Sequence, residues 1–229
     1  EPYELVSIQK KRGAAYAIIN VFPLRYSPAD GTVTYMTDVS VTVTMHPEAT
    51  TTGHAIRYRP DPYRPVENIV DNPGTITSYQ AAKHAGPGVL GFCDPTGSYE
   101  YIFITTRAIR DAATTPNVAD LIAFRKSQGY SATCVPLEDI YANYSGGNTE
   151  KVRNFIIDAY NNWETDYVVL GGDTGVFPLH TINVLSADGD TAPLTAMPCD
   201  MYFQCLDGGG PGGSGDDLVA EVYVGRPCA

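Results

Sequence analysis

Hydrophobic and polar positions alternate in the first part of the chain. "AAYAIINVFPLRY" and "TVTYMTDVSVTVTMH" are rich in Val, Ile, Tyr and Thr, residues that suit a pleated, half-buried surface. "SPADG" between them is turn chemistry, because Pro28 fixes φ and Gly31 tolerates a positive one. Val39, Val41 and Val43 alternate with Ser40, Thr42 and Thr44, a period of two that turns one face inward. The pattern predicts an antiparallel hairpin in a small β module over residues 1–56. From 57 to 91 the alternation dissolves into "RYRPDPYRPVENIVDNPG" and "AAKHAGPGVLG". Prolines at 60, 62, 65 and 73 forbid a continuous helix and donate to no ladder, so this segment reads as an extended linker at a domain boundary.

The period changes in residues 92–229. "YEYIFITT" is a short apolar strand, and "TPNVADLIAFRKSQGY" predicts a helix with Thr115 as N-cap, Pro116 at its first position and Gly129 as terminator. "SATCVPL" is a second strand. "TEKVRNFIIDAYNNW" then sets Val152, Phe155, Ile156, Ala159, Tyr160 and Trp163 three and four apart, which predicts an amphipathic helix. "DYVVLGGD" is a third strand, apolar throughout as a parallel strand covered on both faces should be. Strands alternating with helices predict an open, mostly parallel α/β sheet with flanking helices. Ligands in such sheets bind beyond the carboxyl ends of the strands. That directs attention to Thr105, Thr106, Gly171, Gly172 and Asp173.

Charge narrows the partners. The formal charge of -11 over 229 residues, without clustered Lys and Arg, argues against nucleic acid. No run approaches the ~18 to 20 apolar residues that span a bilayer. Between His180 and Gly225 lie seven acids and no Lys or Arg: Asp188, Asp190, Asp200, Asp207, Asp216, Asp217 and Glu221. Such a segment is either a solvated face or a cation site, and hard oxygen ligands in irregular loops suit calcium. A structural Ca2+ ion is therefore a candidate cofactor, with Asp200, Asp216 and Asp217 as candidate ligands. The spacing matches no EF-hand loop.

Five cysteines, at 93, 134, 199, 205 and 228, are an odd number without C-x-x-C spacing, which disfavours zinc. Cys134 lies in an expected buried strand and reads as a small core residue. Cys199 and Cys205 could form a short disulfide, be buried separately, or face the acid loop. Cys228 follows a strand but has no His near it in sequence, and His180 is isolated in "PLHTI". Asp173 in "GGD" either satisfies turn amides or serves catalysis, and the turn role is the more ordinary one. Glu221 interrupts the apolar run "LVAEVYVG". It must face solvent beside Tyr223, be hydrogen-bonded, or be functional, for instance in orienting an imidazole.

"YEYIFITT", "LIAFRKSQGYSATCVPLEDIY", "TEKVRNFIIDAY", "DYVVLGGDTGVFP", "PCDMYFQCLDG" and "AEVYVGRP", in that order, resemble the amino-terminal half of the catalytic domain of gingipains, secreted cysteine peptidases. The first sixty residues resemble the end of that family's pro-segment. The resemblance implies a caspase-like α/β fold, a Cys thiolate with a His base acting on protein or peptide substrates, bacterial-type export to the cell surface or medium, zymogen synthesis and calcium-stabilised loops. It implies that Glu221 orients the catalytic imidazole and that Asp200 is the family's Asp beyond the third strand. In the family the His and Cys follow the Gly-Arg at the ends of the next two strands. They are thus expected beyond residue 229, in the remainder of the catalytic domain, and neither role passes to His180 or Cys228. This chain alone is then expected to be inactive. The alternatives are a noncatalytic peptidase-like scaffold and a calcium-dependent adhesion module.

Overall fold

The computed structural model describes residues 2–44, 56, 58–79, 97–184, 194–207, 209–211 and 218–227. Two antiparallel hairpins come first. Strand β1 (Tyr3–Lys11) pairs with β2 (Ala14–Val21), and β3 (Leu24–Ser27) pairs with β4 (Thr32–Tyr35) around the expected "SPADG" turn. The stretch beginning at Ala14 therefore pairs backward with β1 as well as leading into the second hairpin. Val39, Val41 and Val43 form no strand and remain exposed. Alternation makes a strand only where a partner offers its ladder.

Residues 58–79, expected as an open linker, carry two short 3-10 turns, Val66–Asn68 and Pro73–Tyr79. Asp61 and Val66 are buried there.

Four parallel strands form the core of the second part: β5 (Tyr101–Thr105), β6 (Ala132–Pro136), β7 (Tyr167–Leu170) and β10 (Tyr223–Gly225), in the order β10-β7-β5-β6. All three pairings are parallel. A further hairpin, β8 (Thr181–Val184) with β9 (Leu194–Pro198), lies between β7 and β10 in sequence. This is the expected caspase-like α/β arrangement with small antiparallel sheets beside it.

Helices cover both faces because both faces are apolar. On one, α1 (Arg107–Arg110) and α2 (Val118–Ser127) bring Ile109, Val118, Leu121 and Ile122 against Tyr101, Phe103, Ala132 and Val169. On the other, α3 (Leu137–Asn143) and α4 (Asn148–Trp163) close over Ile102, Ile104, Val168 and Leu170. All six residues of the expected α4 stripe are buried. Each fully buried large apolar side chain contributes about 1.5–3 kcal/mol relative to exposure. The start of α2 differs from expectation. Asn117, not Thr115, is its cap, accepting from the Asp120 amide at 3.0 Å while Asp120 accepts from the Asn117 amide at 3.0 Å. That reciprocal pair satisfies two amides at once, which a cap at Thr115 could not do from two residues further out.

Candidate functional site

The chain passes from β5 to β6 on one side and then from β6 back across β5 to β7 on the other, so β5 and β7 flank a switch point in the strand order. The loops after them meet there. Gly171 donates its amide to the Ile104 carbonyl at 2.7 Å, and its own carbonyl accepts from the buried Thr105 hydroxyl at 2.7 Å. A Cβ at Gly171 would fall 2.4 Å from Cε1 of Phe103, so glycine is required by the close approach of that ring. Gly172 has φ +134° and turns the chain into a tight loop. The carboxylate of Asp173 accepts from the Gly175 amide at 2.9 Å and its carbonyl from Phe177 at 2.8 Å. Asp173 therefore holds the turn, the ordinary role of the two.

Arg226, the residue directly after β10, completes this rim. Its Nε and Nη2 donate to the two carboxylate oxygens of Asp200, each at 2.7 Å, and Nη1 donates to the Gly172 carbonyl at 3.4 Å. The guanidinium also lies 4.9 Å from the centroid of the Phe177 ring. One planar cation thus joins the loop after β7, the 3-10 turn Asp200–Phe203 and the end of β10. Beside it, His180 stacks on Tyr202 with centroids 3.8 Å apart, and the Cys199 amide donates to the His180 carbonyl at 2.9 Å. The sequence did not signal that these two residues are backbone neighbours.

Glu221 is elsewhere. It lies two residues before β10 begins, five upstream of Arg226, which is roughly 16 Å along an extended chain at about 3.3 Å per residue. Its carboxylate, 2 % exposed, accepts from the amides of Leu206 at 2.6 Å and Arg12 at 3.2 Å. Of the readings open in the sequence, the solvent-facing one is excluded and the hydrogen-bonded one holds. At this opposite end, the base of the sheet, Arg12 pairs with Asp166 just before β7, and Arg59 reaches the same Asp166 oxygen at 2.7 Å. Both guanidiniums face the Tyr160 ring, 5.7 and 4.8 Å from its centroid. Burial pushes the Tyr160 phenol up to about 12, against the opposing pull of the two arginines. Asp200 and Glu221, singled out together in the sequence, thus belong to opposite ends of one strand.

The metal expectations divide in the same way. Asp200 has both oxygens engaged by Arg226, so a cation there would have to displace a guanidinium. Asp216 and Asp217 lie outside the described residues, as do Asp188, Asp190, Cys93 and Cys228. Among the described residues no group of three or more His, Cys, Asp or Glu is placed to hold a metal ion.

Cys134 and Cys199 are free thiols, which excludes the short 199–205 disulfide. Cys205 is fully buried, and burial pushes the Cys134 thiol up to about 11. Neither is poised as a nucleophile. Arg226, which braces this rim, is not among the residues that the sequence singles out. Its place directly after an apolar strand was the signal available, since that position projects onto a sheet's ligand-binding rim. No helix among the described residues is long and apolar enough to cross a membrane.

A family model described as peptidase family C25 matches residues 94–229. That span holds the whole parallel sheet, its helices and the rim, and the two amino-terminal hairpins fall outside it. No curated protein and no solved structure matches.

Proposed function

The chain belongs to peptidase family C25, and from that premise we propose that it is part of an exported, gingipain-like cysteine endopeptidase acting on protein or peptide substrates. The observation that carries this reading is the convergence, within the matched span, of the loops after β5, β7 and β10 on one rim braced by Arg226 and Asp200. A peptidase site needs such a rim, because a substrate carbonyl must be held still while a thiolate attacks it. The described residues supply the frame. Thr105 and Gly171 lock two strand ends together, and Arg226 fixes the loop from Gly172 to Phe177 against β10.

The nucleophile and base are proposed to lie in sequence beyond residue 229. In support, burial disfavours the thiolate of Cys134, and Cys205 is fully buried. An imidazole-orienting role for Glu221 would require the histidine to reach the base of the sheet, where two backbone amides already hold the carboxylate. We propose instead that the base reaches the rim beside Arg226, and that Glu221 acts in the frame. A structural calcium ion belongs to the same proposal. Carboxylates in the 188–221 segment have suitable donor chemistry, with Asp216 and Asp217 as ligands and Asp200 joining only by releasing Arg226.

The test is hydrolysis of a broad peptide panel by the gene product extended past residue 229, beside the 1–229 chain. Thiol-dependent hydrolysis by the longer protein, blocked by iodoacetamide, and none by the 1–229 chain is the expected result. Absence of thiol-dependent hydrolysis by the longer protein would overturn the proposal. So would activity of the 1–229 chain that is lost on Cys228→Ala.

A further inference from the structure

The turn between β1 and β2 has only two residues, Arg12 and Gly13, with φ of 49° and 82°. Two positive φ values are what a tight hairpin turn of this hand needs, and Asn, Asp or Gly normally provide them. Arginine is a poor choice there because its Cβ crowds the following carbonyl. It is also 2 % exposed, although hairpin tips ordinarily face water. Its guanidinium goes into the base of the parallel sheet. There it pairs with Asp166 and donates to the Pro60 carbonyl at 3.4 Å, while its amide serves Glu221. Arg59 lies alongside, donating to Asp166 at 2.7 Å and to the carbonyls of Tyr160 at 3.1 Å and Thr165 at 3.4 Å. The Arg59 amide is bonded to the Arg12 carbonyl at 3.1 Å, and Lys11 is tied to Asp61 at 3.1 Å and to the Arg64 carbonyl. Tip and following segment therefore form one braced unit that presents two guanidiniums.

We infer that the base of the parallel sheet is a guanidinium socket, built from Asp166, Glu221, the Tyr160 ring and the carbonyls of residues 160 and 165. Its ligand is the arginine pair on the 1–79 unit, which it holds whether or not the intervening chain is intact. Three features support this. The cationic donors come from the 1–79 unit, whereas both socket carboxylates and the aromatic floor come from residues 97–227. The charges match: residues 97–229 hold seventeen acids and seven bases, a net charge of -10, whereas the tip reads Lys10, Lys11, Arg12. The acceptors diverge, from a carboxylate to two backbone carbonyls over an aromatic face, and a planar fork with several donors fits that set where a point-like ammonium does not. The socket lies at the opposite end of the sheet from the rim, and the inference uses no peptidase chemistry.

To test it, a site-specific protease sequence is placed within 80–96 of the full chain, the folded protein is cut, and the two pieces are followed by gel filtration and native mass spectrometry. The pieces should remain together. Arg12→Asn suits the turn better than arginine and so keeps the hairpin, yet it should weaken the complex about tenfold, and with Arg59→Gln roughly a hundredfold or more. Arg12→Lys should also weaken it. Arg25→Gln, on the exposed face of β3, should leave it unchanged. Methylguanidinium should release the cut unit at a concentration where methylammonium does not, a readout that depends on no variant's folding. Separation of the unsubstituted pieces, equal binding by Arg12→Asn, or equal competition by the two cations would each overturn the inference.

Discussion

Gly171→Ala should destabilise the parallel half through a single crowded contact. The backbone at Gly171 does not have positive φ, so strain of that kind plays no part. The added Cβ would stand 2.4 Å from Cε1 and 2.5 Å from Cζ of Phe103, and 3.0 Å from the Thr105 Cβ. Phe103 is 7 % exposed and packed among Tyr101, Val118 and Ala132, so its ring cannot swing clear. Overpacking of this kind costs about 1–3 kcal/mol. At about 2–4 °C per kcal/mol for a chain of this size, the melting temperature should fall by roughly 2–12 °C. The natural control is Gly225→Ala, where a Cβ meets nothing within 4 Å, and its expected effect is within about 0.5 kcal/mol of zero. Trp163 is the only tryptophan and is 1 % exposed in the core beneath this sheet, so its fluorescence follows the relevant half. Phe103→Leu opens space at the contact, so the double variant should lose less than the sum of the two single losses. Equal melting of Gly171→Ala and Gly225→Ala, or strict additivity with Phe103→Leu, would refute the steric account.

Two further predictions concern titrating groups. Burial works to raise the Asp61 carboxyl, but the amides of Tyr63 and Arg64 and the Lys11 ammonium outweigh it and hold the group below its ordinary value of 3.8. Because the folded value is the lower one, the stabilisation is present above about pH 4 and is lost as pH falls through the folded value. Asp61→Asn should therefore lower stability at neutral pH and flatten the acid limb of a melting-temperature profile; an unchanged acid limb would count against this. For Cys134, a thiol pushed up to about 11 should alkylate at pH 8 roughly 100-fold more slowly than in the urea-unfolded chain. Mass spectrometry of iodoacetamide-treated protein gives the rate, and equal rates in the two states would exclude the assigned environment.

The parallel half was legible because its signals are local. The α4 stripe and the apolar runs of β5 and β7 each fit one secondary structure and one pattern of burial. Even the shifted start of α2 was written as Asn117 followed three residues later by Asp120, a capping box that the nearby Pro116 obscured. The amino-terminal module was less legible. Val39, Val41 and Val43 alternate as well as any strand, whereas β1 keeps Leu5, Val6 and Ile8 exposed and so lacked the expected contrast. At the ends of the sheet, sequence could say that Glu221 needed partners but not which ones. Arg226 finds Asp200 across 26 residues, and Arg12 finds Asp166 across 154 and Glu221 across 209. Such pairings are set by strand order, which no local pattern encodes.

Those separations impose an order in time. Synthesis at about 5–20 residues per second delivers Glu221 roughly 10–40 s after Arg12. Throughout that interval the hairpin has its turn and its ladder but not the carboxylate that holds the Arg12 amide. A chaperone that holds nascent chains would meet Ile8, Leu24 and Tyr35, exposed even in the finished protein, well before the base of the sheet exists to anchor them. Slower translation of the later half would lengthen that wait, so codon usage over residues 97–221 bears on how much of this protein reaches its folded state.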